Sequence, residues 1–361
     1  MTARIRTDLD AIPAYVPGRS FPGVIKLASN ETTQGPLPSV REKIAEAVST
    51  VNRYPDIRAT ELVAEIAAML KVQPENVAAG NGSVALCQEV VQITCGPGDE
   101  VVYAWRSFEA YPIITRVAGA TPVEVPLDDN HVHDLDAMLA AITERTRVVF
   151  VCNPNNPSGT VVRRSALEKF LDAVPAHVLV VLDEAYFEYA RENPAGEYTD
   201  GVELARGRRN VLVLRTFSKA YGLAGLRVGY AVGDPSIITA LGKVRIAFAV
   251  NSVAQRAALA SLAAKDELLA RTDALVIERE RVREALIELG YDVAQSDSNF
   301  VFMPLGDRSA PFAEGAAEAG VLLRAFTGDG VRITIGDPDE NDAFLKYAAT
   351  AAPSPSETRS D

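Results

Sequence analysis

Two hydroxyls, an amine and a guanidinium lie close together in Thr216-Phe217-Ser218-Lys219-Ala220-Tyr221-Gly222-Leu223-Ala224-Gly225-Leu226-Arg227. The hydroxyls of Thr216 and Ser218 and the planar fork of Arg227 match the oxygens of a phosphate. A partly desolvated lysine loses its proton readily, so Lys219 can attack a carbonyl and form a Schiff base. Gly222 and Gly225 let the backbone pass close to a ligand. Taken alone, the stretch also reads as a solvated lysine in a glycine-rich loop. Its position favours chemistry. Val211-Leu212-Val213-Leu214 precedes it as a buried strand, and open α/β sheets bind ligands beyond the carboxyl ends of their strands.

Three more turns follow apolar runs in the same way. Val77-Ala78-Ala79 leads to Gly80-Asn81-Gly82-Ser83 at a helix start, where free N–H groups and the helix dipole suit an anion, although such turns are also common caps. Residues 148–152 run into Asn153-Pro154-Asn155-Asn156-Pro157-Ser158-Gly159. Residues 178–182 end at Asp183-Glu184-Ala185-Tyr186. Asp183 is then either a helix N-cap or a desolvated carboxylate that needs a cation beside it. In a parallel sheet these turns share one edge, so residues far apart in sequence converge on one crevice.

The elements that must hold these turns repeat along the middle of the chain as short apolar strand, polar turn and helix, the pattern of a mostly parallel sheet. Proline and glycine punctuate residues 1–35, which read as an arm with Tyr15, Asn30 and Glu31 as polar points. Pro55 forces an extended or turn conformation on Tyr54 and exposes it on a loop. After Asp234 the pattern changes to long helical stretches, 235–247 and 252–289, the second read as one helix bridging two domains. A smaller α+β unit follows, with strands near 299–303, 321–324 and 331–335. Residues 190–209 read as a surface excursion, and 351–361 as a disordered tail.

At 361 residues the chain can bury a sizeable core and is expected to form a large and a small domain. With 48 acidic against 36 basic residues and a net charge of −12, it has no basic stripe for nucleic acid. The first residues have no signal-peptide core and no apolar run reaches bilayer length, so a soluble cytoplasmic protein is expected. Cys87, Cys95 and Cys152 show no CxxC spacing and read as reduced thiols; His131 and His133 read as a turn or strand-edge pair rather than a metal site.

Asn156-Pro157-Ser158-Gly159, Asp183-x-x-Tyr186 and Thr216-x-Ser218-Lys219 followed by Arg227 resemble the pyridoxal-phosphate-dependent aminotransferases of fold type I, in the class that contains histidinol-phosphate aminotransferase. Gly35-Pro36-Leu37-Pro38-Ser39, Asn52-Arg53-Tyr54-Pro55-Asp56 and Val331-Arg332-Ile333-Thr334-Ile335-Gly336 resemble the same subfamily. Leu27-Ala28-Ser29-Asn30-Glu31 and Trp105-Arg106-Ser107-Phe108-Glu109-Ala110-Tyr111-Pro112 are most similar to its aromatic amino acid, or phenylalanine, branch. The resemblance implies an α/β fold with a mostly parallel seven-stranded sheet between helices, plus a smaller α+β domain. Its expected divisions are an arm (1–35), a large cofactor domain (36–245), a small domain (246–350) and the tail (351–361).

By that resemblance Lys219 anchors pyridoxal 5'-phosphate covalently and then moves the substrate Cα proton, and Asp183 pairs with the pyridine nitrogen. Asn156 and Tyr186 reach the ring oxygen. Asn81, Gly82, Ser83, Thr216, Ser218 and Arg227 hold the phosphate, with Tyr54 entering from the second subunit of a homodimer. Phe108 or Trp105 stacks on the ring, Phe108 being favoured. Arg332 takes the substrate carboxylate. Arg324, Tyr15 and Asn30 are further substrate candidates, and the side-chain pocket is expected to draw on Tyr15, residues 105–111 and Phe326. The implied reaction is transamination of phenylalanine or tyrosine with a 2-oxo acid. Histidinol-phosphate transamination is second because Arg324 lies near a phosphate-binding arginine of those enzymes. A catalytically silent pyridoxal-phosphate-binding protein is the reading from a different class, and the intact Lys219, Asp183 and Arg332 argue against it.

Overall fold

A computed structural model describes residues 3, 5–12, 23–191 and 198–352. In chain order the strands are β1 (Ile25–Lys26), β2 (Val77–Gly80), β3 (Glu100–Trp105), β4 (Thr121–Pro126), β5 (Thr146–Cys152), β6 (Leu179–Asp183), β7 (Val211–Thr216), β8 (Gly229–Gly233), β9 (Phe300–Met303), β10 (Val321–Leu322), β11 (Arg324–Phe326) and β12 (Gly330–Thr334). Strands β2 to β8 form one seven-stranded sheet in the order β2-β8-β7-β6-β5-β3-β4. β8 is antiparallel to both neighbours, and the other pairs are parallel. This is the expected mostly parallel α/β fold.

The central strands are apolar almost throughout because helices cover both faces. Their side chains alternate between the two cores with a period of two. Val149, Val151, Val180, Leu182, Val211 and Val213 point into one core, with Val40, Leu62, Ile66 and Phe170 from the helices Pro38–Val48, Thr60–Leu70 and Arg164–Ala173. Phe150, Val181, Leu212 and Leu214 point into the other, with Leu86, Val90, Tyr111 and Leu241 from the helices Ser83–Thr94, Ala110–Val117 and Pro235–Val244. The sheet is therefore fixed between two layers, and its carboxyl edge is a rigid platform.

Apart from this sheet stand an antiparallel sheet ordered β11-β12-β9 and the parallel pair β1-β10. Three expectations change here. Residues 25–30 do not behave as an arm: β1 pairs with β10, and Leu27, 1% exposed, sits in a core with Val301, Ile333 and Phe344. The long helix expected over 252–289 breaks at Ala264 into Ser252–Ala263 and Lys265–Glu288. The second of these joins two hydrophobic cores, with Leu268 in the core that holds Val149 and Val180 and with Val282 and Leu286 in the core that holds Leu27. The single strand expected over 321–324 is two short strands, because β10 pairs with β1 and β11 with β12. Within the stretch read as a surface excursion, Val202 and Leu204 are buried and Asp200 reaches the buried Arg215. The expected tail lies outside the described residues from 353 onward.

Candidate active site

The register of the parallel strands sets Cys152, Asp183 and Leu214 side by side, so the loops after β5, β6 and β7 leave the sheet at one edge. A cavity of about 220 Å³ lies there, walled by Asn156, Asp183, Tyr186, Lys219, Arg227 and Arg332 among others. The sequence-expected convergence is thus present in one place.

Asp183 is 2% exposed. Its Oδ2 accepts from the Tyr111 hydroxyl at 2.8 Å and from the Cys87 thiol at 3.9 Å, while Oδ1 is buried without a hydrogen-bond partner. Burial pushes its carboxyl up to about 6, against the donors Tyr111 and Ala185 N–H, which pull it down. Below neutral pH the group therefore gains a proton more readily than a solvated aspartate. A buried anion with one open oxygen calls for a cationic donor. Tyr111, expected in the substrate side-chain pocket, lies fully buried beneath Asp183 instead.

Lys219 lines the same cavity as that carboxylate. Its Nζ donates to the carbonyls of Asn30 at 3.1 Å and Ser29 at 3.4 Å, neither of which supplies a counter-charge. Burial first, then the guanidiniums of Arg332 and Arg227, bring its ammonium down to about 7. The neutral, nucleophilic amine is therefore favoured far more than in a solvated lysine. Tyr186 accepts from Asn30 Nδ2 at 2.9 Å. Asn30 Oδ1 in turn accepts from Thr334 Oγ1 at 3.0 Å, so Asn30, although in the cavity wall, has its side chain committed to positioning Tyr186.

An anion cup closes one end. Ser218 N–H donates to Thr216 Oγ1 at 3.1 Å, the Thr216 hydroxyl to Ser218 Oγ at 3.0 Å, and Arg227 Nη1 to Ser218 Oγ at 3.1 Å. Opposite them the helix Ser83–Thr94 begins after Gly82 with no side-chain cap, leaving its first N–H groups for a ligand. Gly82 has φ 81°, and a Cβ there would stand 2.5 Å from Arg227 Nη2. Ser83 belongs to the cavity wall, whereas Asn81 is exposed on the turn and outside it.

On β12, Arg332 donates to the Asn156 side-chain oxygen and, at 2.8 Å, to the Ala28 carbonyl. Arg324 pairs with Glu109 at 2.8 Å. Sequence reasoning did not single out Glu109; its only signal was a place one residue after Phe108. Phe108 lines the cavity, whereas Trp105 is outside it beneath the Arg106 guanidinium at 4.8 Å. Phe326, also expected in the side-chain pocket, packs against both Arg324 and Arg332 at 5.7 Å.

Tyr54 does not meet the cavity within this chain. Tyr54 is 82% exposed and stacks on Phe248 at 4.5 Å. Tyr15 lies outside the described residues. His133 is buried, and burial lowers its imidazole to about 4, so it is neutral. No cluster fit to hold a metal occurs among the described residues.

The donor set fits pyridoxal phosphate: a cup for the phosphate, an open buried carboxylate oxygen for the ring nitrogen, and an amine that deprotonates near neutrality for the aldehyde. A family profile described as "Aminotransferase class I and II" matches residues 22–347. The chain belongs to that family. This aminotransferase is 67% identical over 350 residues to an aromatic amino acid aminotransferase of Rhodococcus jostii, covering 97% of the chain and 96% of the relative. It is 58% identical over 348 residues to another from Mycolicibacterium smegmatis, covering 96% and 95%. Among solved structures, histidinol-phosphate aminotransferase from Sinorhizobium meliloti, in complex with pyridoxal-5'-phosphate, superposes with a TM-score of 0.88 at 28% identity, covering 98% and 99% of the two chains.

Proposed function

We propose that this aminotransferase transfers the amino group of phenylalanine or tyrosine to a 2-oxo acid, using pyridoxal phosphate bound in the cavity described above. The observation that carries the chemistry is the buried Asp183 carboxylate, with Oδ1 open, in the same wall as a lysine brought down to about 7. The aromatic preference is supported by the relatives at 58–67% identity over nearly the whole chain.

When bound, the cofactor supplies an aldehyde that takes up the amino group and a ring that accepts the electron pair left at the substrate Cα. Lys219 would anchor it, and its amine, held toward its neutral form, would serve as the general base for the substrate Cα proton. Asp183 Oδ1 holds the ring nitrogen in its protonated form. Asn156 and Tyr186 would hold the ring oxygen, and Phe108, in the same wall, would pack against the ring. Ser83 N–H, Thr216, Ser218 and Arg227 hold the phosphate, with Gly82 kept bare so that Arg227 can close over it. Arg332 takes the substrate carboxylate through its fork.

The protein is proposed to act as a cytoplasmic homodimer whose second subunit brings Tyr54 to the phosphate. The exposed apolar side chains of Tyr54, Ile57 and Ile246 support such an interface. Its net charge of −12 fits small-molecule substrates rather than nucleic acid, and no helix among the described residues is long and apolar enough to cross a membrane.

Histidinol-phosphate transamination is the second reading, favoured by Arg324 beside Arg332 in the same wall. The test is kcat/KM for phenylalanine, tyrosine and histidinol phosphate with one common acceptor. Higher values for the aromatic donors are expected, by roughly 10- to 200-fold, the usual reach of pocket contacts. A clear advantage for histidinol phosphate would reverse the order of the two readings.

A further inference from the structure

We propose that Glu109 is a specificity-determining residue: by holding Arg324, it leaves one arginine to meet the anion borne by the substrate Cα, which suits a carboxylate and disfavours a phosphate monoester. The proposal rests on the substrate reading above and explains how the site would enforce it.

Arg324 and Arg332 are direct cross-strand partners in the antiparallel β11-β12 pair, so their side chains leave the same face of that sheet. Both line the cavity that holds Lys219, and so does Glu109. The two guanidiniums lie over the same ring, Phe326, each at 5.7 Å. Without a counter-charge they would form a two-arginine anion site. Glu109 stands just before the helix Ala110–Val117 and accepts from Arg324 Nη2 at 2.8 Å. Its side chain is 34% exposed and that of Arg324 is 21% exposed, so the pair is only partly screened by water.

A carboxylate sits directly on Cα, carries one charge and is satisfied by the fork of Arg332. A phosphate monoester extends farther from Cα and carries nearly two charges at neutral pH. The cation it would reach next across the ladder is Arg324. To use it, the phosphate must displace the Glu109 carboxylate or lie beside it, and like charges brought together in an interface are strongly disfavoured. Selectivity then comes from a repulsive element rather than from an added attraction.

The test compares kcat/KM for phenylalanine, histidinol phosphate and histidinol with one common 2-oxo acid acceptor in wild type, Glu109→Gln, Glu109→Asp and the double variant Glu109→Gln/Arg324→Gln. Glu109→Gln is expected to raise the histidinol phosphate-to-phenylalanine ratio by roughly tenfold or more and to move the histidinol-to-phenylalanine ratio by less than about twofold. The gain should vanish in the double variant, since it requires a freed Arg324. Glu109→Asp keeps the charge and should keep the wild-type ratio. An unchanged ratio in Glu109→Gln, an equal gain for histidinol, or an equal gain in Glu109→Asp overturns the role of Glu109, while a wild-type preference for phenylalanine still upholds the substrate reading. A wild-type preference for histidinol phosphate overturns both.

Discussion

Burial and two guanidiniums hold Lys219 toward its neutral form, against the opposing pull of Glu31. No carboxylate oxygen is among its hydrogen-bond partners, two guanidiniums share its cavity, and burial removes the water that would solvate an ammonium. The folded-state value of about 7 lies below the ordinary 10.5, so the unfolded chain binds this proton first as pH falls. Lys219 therefore leaves stability unaffected above about 10.5 and opposes folding increasingly as pH drops toward 7, below which the penalty is complete. In cofactor-free protein labelled with 13C at lysine Cε, one resonance should titrate near 7 and be missing from Lys219→Met. If every lysine titrated near 10.5, the environment argued for this amine would be wrong. An amine just past an apolar strand, between hydroxyls and an arginine, marked this residue in the sequence, although the stretch alone read equally as a solvated lysine in a glycine-rich loop. Glu109 and the Tyr111–Asp183 bond were not legible, because nothing in a helix-start glutamate or a tyrosine on an apolar stretch indicates which distant side chain it will touch.

At the scale of elements, the anion cup depends on how closely β8 approaches the start of the helix Ser83–Thr94. A Cβ on Gly229 would stand 2.8 Å from both the Arg215 carbonyl and the Ser83 nitrogen. Both are backbone atoms, so strand or helix would have to move. Gly229→Ala is expected to destabilise the protein by about 1–3 kcal/mol, the usual cost of overpacking, and to weaken pyridoxal phosphate binding, because the displaced Ser83 N–H belongs to the cup. Gly225→Ala is the control: nothing lies within 4 Å of its added Cβ, and a change within about 0.5 kcal/mol is expected. Denaturant titration and cofactor titration of both variants check this. Equal behaviour of the two would show that the close approach does not matter. The sequence indicated the glycine-rich turn after β2, but gave no sign that Gly229, from a strand added in the opposite direction, would press against it.

At the scale of the whole molecule, the surface near Tyr54 should be covered by a second copy. Tyr54 is 82%, Ile246 81% and Ile57 55% exposed, a concentration of apolar surface that a monomer rarely leaves bare. Sedimentation should show a dimer, and Ile246→Arg should shift it toward monomer with loss of activity. Tyr54→Phe should remain dimeric but bind pyridoxal phosphate more weakly by about 1–3 kcal/mol, the worth of one hydrogen bond to a charged group. A monomer with full activity would exclude a site completed across the two-fold axis.

Local sequence determined the central strands of the seven-stranded sheet almost by itself. A strand buried on both faces must be apolar throughout, and a turn at its carboxyl end must be polar or glycine, so β5, β6 and β7 were legible to within two residues at each end. The places of Asp183, Asn156 and Lys219 just beyond those strands were legible for the same reason, while the resemblance implied their roles and that of Arg227. Tertiary structure decided where weak local signals went. Ile25–Lys26, too short and proline-flanked to announce a strand, became one by pairing with Val321–Leu322. That pairing places Asn30 against Tyr186 and brings its carbonyl to Lys219. The pairing of β11 with β12 set Arg324 beside Arg332, and the approach of Glu109 paired one of them with a carboxylate. Residue types could indicate an anion site, but only tertiary packing fixed which charges would stand beside it, because long-range contacts are set by the fold and leave no periodic trace in the chain.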